Sequence, residues 1–302
     1  MSVALLSGGT GGAKLARGLR ELCELDVIAN TGDDIEIYGA HVSPDPDLVS
    51  YWLADRIDER GWGLEGDTFA VMDGLRELGV DVWFKLGDRD LAVCLERRRL
   101  LESGSTLTAA LAALAAALGL RARVVPMSDS PVCTQIRTDA GWIGLQEFLI
   151  RERGAAQIKD IRFDGVQQAQ ASPAALAAIA AAEVVVIGPS NPIISIGPML
   201  ALGELRDALA ATSAPVVAVS PIVGGQVLKG PTAACMQWAK LPCNASGVAQ
   251  HYDGLIDGLI CDEELDTLPT LETSTLMDTL AARERVAGQV LEFARRLNGR
   301  LP

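Results

Sequence analysis

The chain has 302 residues, 49% of them hydrophobic and 22% charged, the balance of a soluble globular protein with a substantial core. A formal net charge of −13 argues against non-specific binding to nucleic acid or to an anionic membrane surface. The six cysteines form no C-x-x-C pair, which argues against a zinc site or a dense disulfide framework and suits reduced thiols in a cytoplasmic protein.

The first forty residues organise the rest. Residues 2–6 read as a short buried strand that runs into Ser7-Gly8-Gly9-Thr10-Gly11-Gly12-Ala13-Lys14 and then into an amphipathic run over 15–25. A strand, a glycine-rich turn and a helix start form a phosphate-binding arrangement, because glycine lets the backbone approach an anion and the helix N-terminus offers free N–H groups. Lys14 adds a point charge. The spacing matches neither G-x-G-x-x-G nor G-x-x-x-x-G-K-[ST], so a tight strand-to-helix turn without a ligand is the competing explanation. The start goes directly into a strand, with no basic region and long apolar core of a signal peptide.

Residues 26–29 form a second strand ending in Asn30-Thr31-Gly32-Asp33-Asp34, and 35–47 a long, polar, proline-punctuated loop. Helical periodicity returns over 48–60 and 68–78, the second with Asp67 as N-cap. Aromatic and charged residues mix over 82–90, followed by helices at 91–101 and 107–118. The latter is alanine-rich, expected to be buried on most sides, and too short to span a bilayer. The pattern then changes: 123–126, 132–138, 142–146 and 158–163 read as strands, the middle two turning over Asp139-Ala140-Gly141 as a hairpin. A helix at 173–182 leads to β-branched strands at 183–187 and 215–219 of the kind found in buried parallel sheets, with a last core strand at 255–260 and a closing helix at 275–297. The predicted architecture is α/β: a three-layer Rossmann-like core with a mainly parallel sheet, plus a helical and β-hairpin insertion. One composite domain is expected, with a core of about 1–34 and 183–302 and an insertion of about 35–182.

Four loops follow the expected core strands, at 8–14, 30–34, 188–195 and 220–225, and in an open parallel sheet all should gather on one edge. Ser190, Asn191 and Ser195 offer hydrogen bonds to a base, ribose or phosphate, and the stretch 224–232 adds a second glycine–lysine loop with Lys229. Each loop alone is compatible with ordinary turn chemistry; together they suggest a polyanionic ligand. Asp33, Asp34, Asp45 and Asp47 lie nearby, and magnesium asks for a few carboxylates with phosphate oxygens and water, although helix capping would equally explain them. With only His41 and His251, a histidine-rich metal site is excluded, and no G-x-S-x-G elbow supports a serine hydrolase. Trp83, Phe84, Lys85 and Arg89 suit a pocket for a flat, partly anionic ring, although in a strand only one of the two aromatics would face it.

These segments, in order, resemble the CofD family of 2-phospho-L-lactate transferases. The likeness rests on Gly8-Gly9-Thr10-Gly11-Gly12-Ala13-Lys14-Leu15, Asn30-Thr31-Gly32-Asp33-Asp34, His41-Val42-Ser43-Pro44-Asp45 and Trp83-Phe84-Lys85-Leu86-Gly87-Asp88-Arg89-Asp90. It continues through Gly188-Pro189-Ser190-Asn191-Pro192, Ser195-Ile196-Gly197-Pro198 and Ser220-Pro221-Ile222-Val223-Gly224-Gly225. The resemblance implies transfer of a phosphorylated three-carbon acid from a guanosine-diphosphate-linked donor to a ribityl hydroxyl of the deazaflavin Fo, with release of GMP, in coenzyme F-420 biosynthesis. It further implies Mg2+ and a homodimer. Carried onto this sequence, Gly9, Thr10, Gly11, Gly12 and Lys14 hold the donor phosphates, with Lys14 also catalytic, and Asn30, Asp33, Ser190 and Asn191 complete the nucleotide crevice. Asp45 lies near the Fo hydroxyl as metal ligand, orienting group or base, with Asp33 as a second metal ligand, and Lys85 and Arg89 meet the deazaflavin. An aspartate near its ordinary pKa of about 3.9 is a weak base, which favours ligation for Asp45. The rival is a YvcK-type regulatory protein that binds nucleotide sugars and transfers nothing; the 83–92 segment favours the transferase. Nothing in the sequence decides among phospholactate, phosphoenolpyruvate and 3-phosphoglycerate donors.

Overall fold

The computed structural model describes residues 1–228 and 230–299. Its centre is a seven-stranded parallel sheet built from β1 (Ser2–Ser7), β2 (Glu24–Ala29), β3 (Arg123–Pro126), β4 (Val184–Ile187), β5 (Val216–Val219), β6 (Gly258–Cys261) and β7 (Thr270–Glu272). Their spatial order is β7-β6-β5-β4-β1-β2-β3, with β1 paired in parallel to β2 on one side and to β4 on the other. The chain therefore winds outward from β1 to β3, returns to the middle, and winds outward again from β4. The direction reverses between β1 and β4, where an open α/β sheet parts its loops and leaves a crevice.

Alternation along the strands divides the interior in two. Val3, Leu5, Val27 and Val124 face one layer with α1 (Gly9–Leu19), α2 (Pro44–Leu53) and the closing helix Leu280–Leu297. Ala4, Leu6, Ile28 and Val125 face the other, covered by helices that include Pro173–Ala181 and Gly203–Ala211. The result is the expected three-layer, Rossmann-like α/β core. A third, smaller cluster joins the hairpin Ile35–Ile37/Ala40–Val42 to the helices Ala70–Glu77 and Asp88–Glu102. A separate antiparallel sheet pairs Cys133–Thr138 with Gly141–Gly144 and Asp160–Asp164.

Several boundaries differ from the sequence reading, and each has a local cause. The glycine run is not a loop before the helix but its first turn: α1 starts at Gly9 and ends at Leu19, leaving 24 and 25 to β2. Gly9 makes the turn at φ +67°, and a Cβ on Gly11 or Gly12 would collide with the Pro189 carbonyl or the Ser7 hydroxyl. Residues 35–47 are likewise not one loop. They form a hairpin, and Pro44, with its φ already fixed for a helix, then opens α2; Asp55 in the left-handed region at φ 54° follows its end. Asp67 does not cap the helix beginning at Ala70. Its carboxylate accepts from the Arg89 and Asp90 amides of the following helix, at 2.7 and 3.3 Å, while Asp88 accepts from the Ala70 and Val71 amides, at 3.1 and 3.0 Å. The two aspartates have exchanged roles.

Arg123–Pro126, expected in the insertion, pairs with β2 as the edge strand of the core. The helix Leu107–Ala117 buries only one stripe, Leu107, Ala110, Leu111 and Ala115. Strand β7 was absent from the sequence reading, and the closing helix starts at Leu280 under a Thr279 cap rather than at 275. Among the described residues, no helix is long and apolar enough to cross a membrane.

The glycine contacts set a stability prediction. Gly11→Ala should destabilise by about 2–4 kcal/mol, because the obstacle is a backbone carbonyl that cannot swing aside. Gly203→Ala, where nothing lies within 4 Å, should change stability by less than about 1 kcal/mol. Urea unfolding of both variants measures the contrast.

Candidate active site

The loops after β1, β2 and β4 meet where the sheet reverses. The Gly8 amide donates to Ser190 Oγ at 3.0 Å, stitching the β1 turn to the β4 turn. The Gly9 amide donates to Asp45 Oδ1 at 2.5 Å, so the first turn of α1 is tied to the first turn of α2. Asn30, at the end of β2, completes the knot. Its Nδ2 donates to Asp45 Oδ2 at 2.9 Å and lies 3.5 Å from Asp33 Oδ1, while its Oδ1 accepts from the Gly32 amide at 2.8 Å. Gln146 Nε2 reaches Asp33 Oδ2 at 2.9 Å from the short helix Leu145–Ile150.

Asp33 and Asp45 are thus two buried carboxylates sharing one amide nitrogen, and among the described residues every donor to their side chains is uncharged. Burial pushes Asp33 well above the carboxylate range, and the charges of Asp45 and Asp34 push it further. Burial also lifts Asp45 to about 6, against the lowering effect of its Asn30 and Gly9 hydrogen bonds. The pair as a unit holds a proton above the ordinary range.

Two cavities open on this pair. The first, about 370 Å³, is lined by the β1 turn with Gly9, Thr10, Gly11 and Lys14, by Ser190, Asn191 and Ser195 after β4, by Ser220 and Pro221 after β5, and by Thr275–Met277 after β7. The second, about 510 Å³, is lined by Trp62, Trp83, Phe84, Lys85, Tyr51 and Asp90 among others. Thr10, Asp33, Asp45 and Leu149 line both. One chamber is rimmed by glycine turns and hydroxyls, the other by aromatic walls.

The structure places the expected residues unevenly. Gly9, Thr10, Gly11, Lys14, Ser190 and Asn191 reach the first cavity. Lys14 Nζ also lies 5.9 Å from the Trp52 ring centroid, and Asn191 Oδ1 accepts from the Ile193 and Ile194 amides at 2.9 and 3.2 Å, capping the π-helical turn Pro192–Ile196. Gly12 packs against Ser7 instead of facing the cavity, and Asn30 is spent on the carboxylates. Lys85 lines the second cavity with its ammonium 3.9 Å from the Phe69 ring centroid. Arg89 lines neither cavity and donates to the Glu65 carbonyl at 2.8 Å. Trp83 and Phe84 both face the second cavity, since residues 81–87 form no strand and the alternation argument does not apply.

Asp34 turns away, accepting from Ser43 Oγ at 2.7 and 2.8 Å and meeting His41 Nε2 at 3.2 Å. The ligand atoms of Asp47, Asp90 and Cys94 lie within 4.8 Å of one another, but Arg97 pairs with Asp47 and Tyr51 donates to Asp90 at 2.7 Å, so both carboxylates already have protein partners. His251 meets the Pro192 carbonyl at 3.1 Å. Lys229 lies outside the described residues. Sequence reasoning missed Gln146, Leu149, Trp62 and 275–277. A signal existed only for the last, which follow a core strand on the same edge as the other loops; Gln146 is 113 residues from Asp33.

A crevice at the sheet's reversal, with two unlike chambers meeting at a carboxylate pair, is a geometry in which two ligands can be brought together. The profile of the family described as 2-phospho-L-lactate transferase CofD matches residues 3–286, and the chain belongs to that family. A 2-phospho-L-lactate transferase from Methanosarcina mazei is 40% identical over 263 residues, 86% of each chain. Another from Methanospirillum hungatei is 39% identical over 96% of this chain and 99% of its own. A phosphoenolpyruvate transferase from Streptomyces griseus is 37% identical over 97% of this chain and 98% of its own. Among solved structures, a UPF0052 family member from Bacillus halodurans superposes with a TM-score of 0.66, covering 96% of this chain and 98% of its own at 14% identity. That likeness concerns the fold.

Protonation of the pair sets a pH dependence. In the folded protein Asp33 and Asp45 keep protons that the unfolded chain has released, so their contribution to stability falls as pH rises from about 4 to above 6. Asp33→Asn should flatten that slope and make the metal-free protein more stable than wild type at pH 8. Denaturant unfolding from pH 4 to 8 reads both effects.

Proposed function

We propose that the protein transfers a phosphorylated three-carbon acid from a guanosine-diphosphate-linked donor to the terminal ribityl hydroxyl of the deazaflavin Fo, as a step of coenzyme F-420 biosynthesis. One observation carries this reading: the two cavities share Thr10, Asp33, Asp45 and Leu149, so ligands of different chemistry would meet at a carboxylate pair. In the reaction the hydroxyl oxygen bonds to the phosphorus that carries the acid. The bond from that phosphorus to the bridging oxygen breaks, the hydroxyl proton is lost, and GMP leaves. Such transfers depend on positioning and charge neutralisation.

The donor's phosphates belong over the first turn of α1, within reach of Gly9, Thr10, Gly11 and Lys14, with Ser190 and Asn191 on the facing wall. Asn30 acts behind them by holding the carboxylates, and Gly12 by letting the turn sit close to β1. Fo belongs in the second cavity between Trp83, Phe84 and Trp62, with Lys85 beside the ring. Arg89 supports that wall through its bond to the Glu65 carbonyl.

Asp33 and Asp45 fit Mg2+, since two buried, mutually repelling carboxylates, with only uncharged donors among the described residues, match the one or two that the ion takes alongside phosphate oxygens and water. The ion would neutralise charge on the phosphates when bound. The sequence argument against Asp45 as a base loses force, because burial lifts it to about 6, close to the range useful for proton transfer at neutral pH. The wider setting we propose, a cytoplasmic homodimer, is supported by the family resemblance and by the unbridged cysteines among the described residues; light scattering tests the dimer.

Mass spectrometry tests the reaction. Purified protein with Mg2+ and Fo is offered guanosine-diphosphate-linked phospholactate, phosphoenolpyruvate and 3-phosphoglycerate in turn. One donor should yield an Fo adduct and GMP, and Asp45→Ala should lower kcat/KM by about 10²-fold or more. If every donor fails while a nucleotide sugar binds, the regulatory reading replaces this one.

A further inference from the structure

Gln146 belongs to none of the motifs that the sequence displays, yet it occupies a distinctive place. It lies on the helix Leu145–Ile150, next to the antiparallel sheet, and is only 7% exposed. Its side chain lines the second cavity. Its amide nitrogen donates to Asp33 Oδ2 at 2.9 Å, and Asp33 lines both cavities.

That one hydrogen bond fixes what the rest of the amide can do. With Nε2 donating to Asp33 Oδ2, the Oε1 of the same planar amide is turned away from that carboxyl group. Among the described residues Oε1 has no hydrogen-bond partner, while the residue borders the second cavity. An oriented carbonyl oxygen without a protein partner, on a mostly buried residue that lines a cavity, is a site for a hydroxyl or N–H of a ligand. Its neighbours there are apolar walls such as Leu149, Ile150 and Phe84, so a ligand hydroxyl placed against them would otherwise lose its water without compensation.

We infer that Gln146 is a specificity-determining residue that accepts a hydrogen bond from the acceptor's polyol chain, at the hydroxyl one carbon in from the reacting one. This rests on the transferase reading, in which that chain runs from the second cavity to the carboxylate pair. The position follows from connectivity: the reacting hydroxyl belongs beside Asp33 and Asp45, and Gln146 stands one hydrogen bond farther into the second cavity. The same residue is a positioning residue for Asp33 through its other end. The two roles differ in what they predict, because orienting Asp33 affects every acceptor equally, whereas contact with one hydroxyl affects only acceptors that carry it.

The test pairs a substrate change with a residue change. Kinetics are measured with Fo and with an Fo analogue lacking the hydroxyl next to the reacting one, in wild type, Gln146→Met and Gln146→Leu, with thermal unfolding of each. Wild type should prefer Fo by roughly tenfold or more in kcat/KM, the scale of one buried hydrogen bond and the group it leaves unpaired. Both variants should treat the two acceptors within about twofold of each other. Equal discrimination in all three proteins overturns the contact and leaves Gln146 acting only through Asp33. Fluorescence titration of wild type with both acceptors gives an answer even if the variants do not fold: equal affinity with equal turnover overturns the inference. A wild type that transfers to Fo keeps the transferase reading intact in either case, and one that transfers from no donor removes both.

Discussion

Two carboxylates held side by side in the protein interior are the constraint around which the rest is arranged. Like charges in a poorly solvated place repel, and the fold holds Asp33 and Asp45 together with donors from three directions. The Gly9 amide comes from α1, Asn30 from the end of β2, and Gln146 from a helix more than a hundred residues later. None of these donors carries a full charge that would quench the pair. The arrangement is less stable than a neutral one of the same shape would be, which is a common property of sites built to receive a cation and phosphate.

The sheet's winding explains why two cavities open on the pair. Because the chain reverses between β1 and β4, the turns after both strands open on the same side and leave a gap between them. The parallel sheet itself supplies the glycine turns and hydroxyls of one chamber. The aromatic walls of the other come from the segments between β2 and β3, and the helix that follows the antiparallel hairpin adds Gln146, Leu149 and Ile150. Division of labour between scaffold and insertion thus falls at the carboxylates.

Much of this was legible in the sequence, and the reasons are physical. The strands of the core were visible because both faces of a parallel sheet are buried and their β-branched runs are continuous, as in Val184–Ile187. The loops were visible because glycine and asparagine are needed where the backbone turns sharply or comes close, as at Gly9. What stayed hidden was set by tertiary contact. Asn30 and Gly12 looked like ligand contacts, yet one is consumed by carboxylates and the other by packing. Arg89 belongs to the right segment but its guanidinium is held at Glu65. Gln146 had no local signal at all, since its partner is 113 residues away. The cap exchange between Asp67 and Asp88 also defeats local reading, because each aspartate is followed by a plausible helix and only the fold decides which one it serves.

That exchange has a consequence for the aromatic wall. The two caps lie together at the base of the stretch 70–88, Asp88 on the Ala70 and Val71 amides and Asp67 on the Arg89 and Asp90 amides. The Phe84 amide adds a bond to Tyr38 Oη at 3.1 Å. Trp83, Phe84 and Lys85 are therefore carried on a stretch held by bonds within the protein. A flat ring docking there would cost little chain freedom in the wall that receives it, and more of the contact energy would remain for affinity.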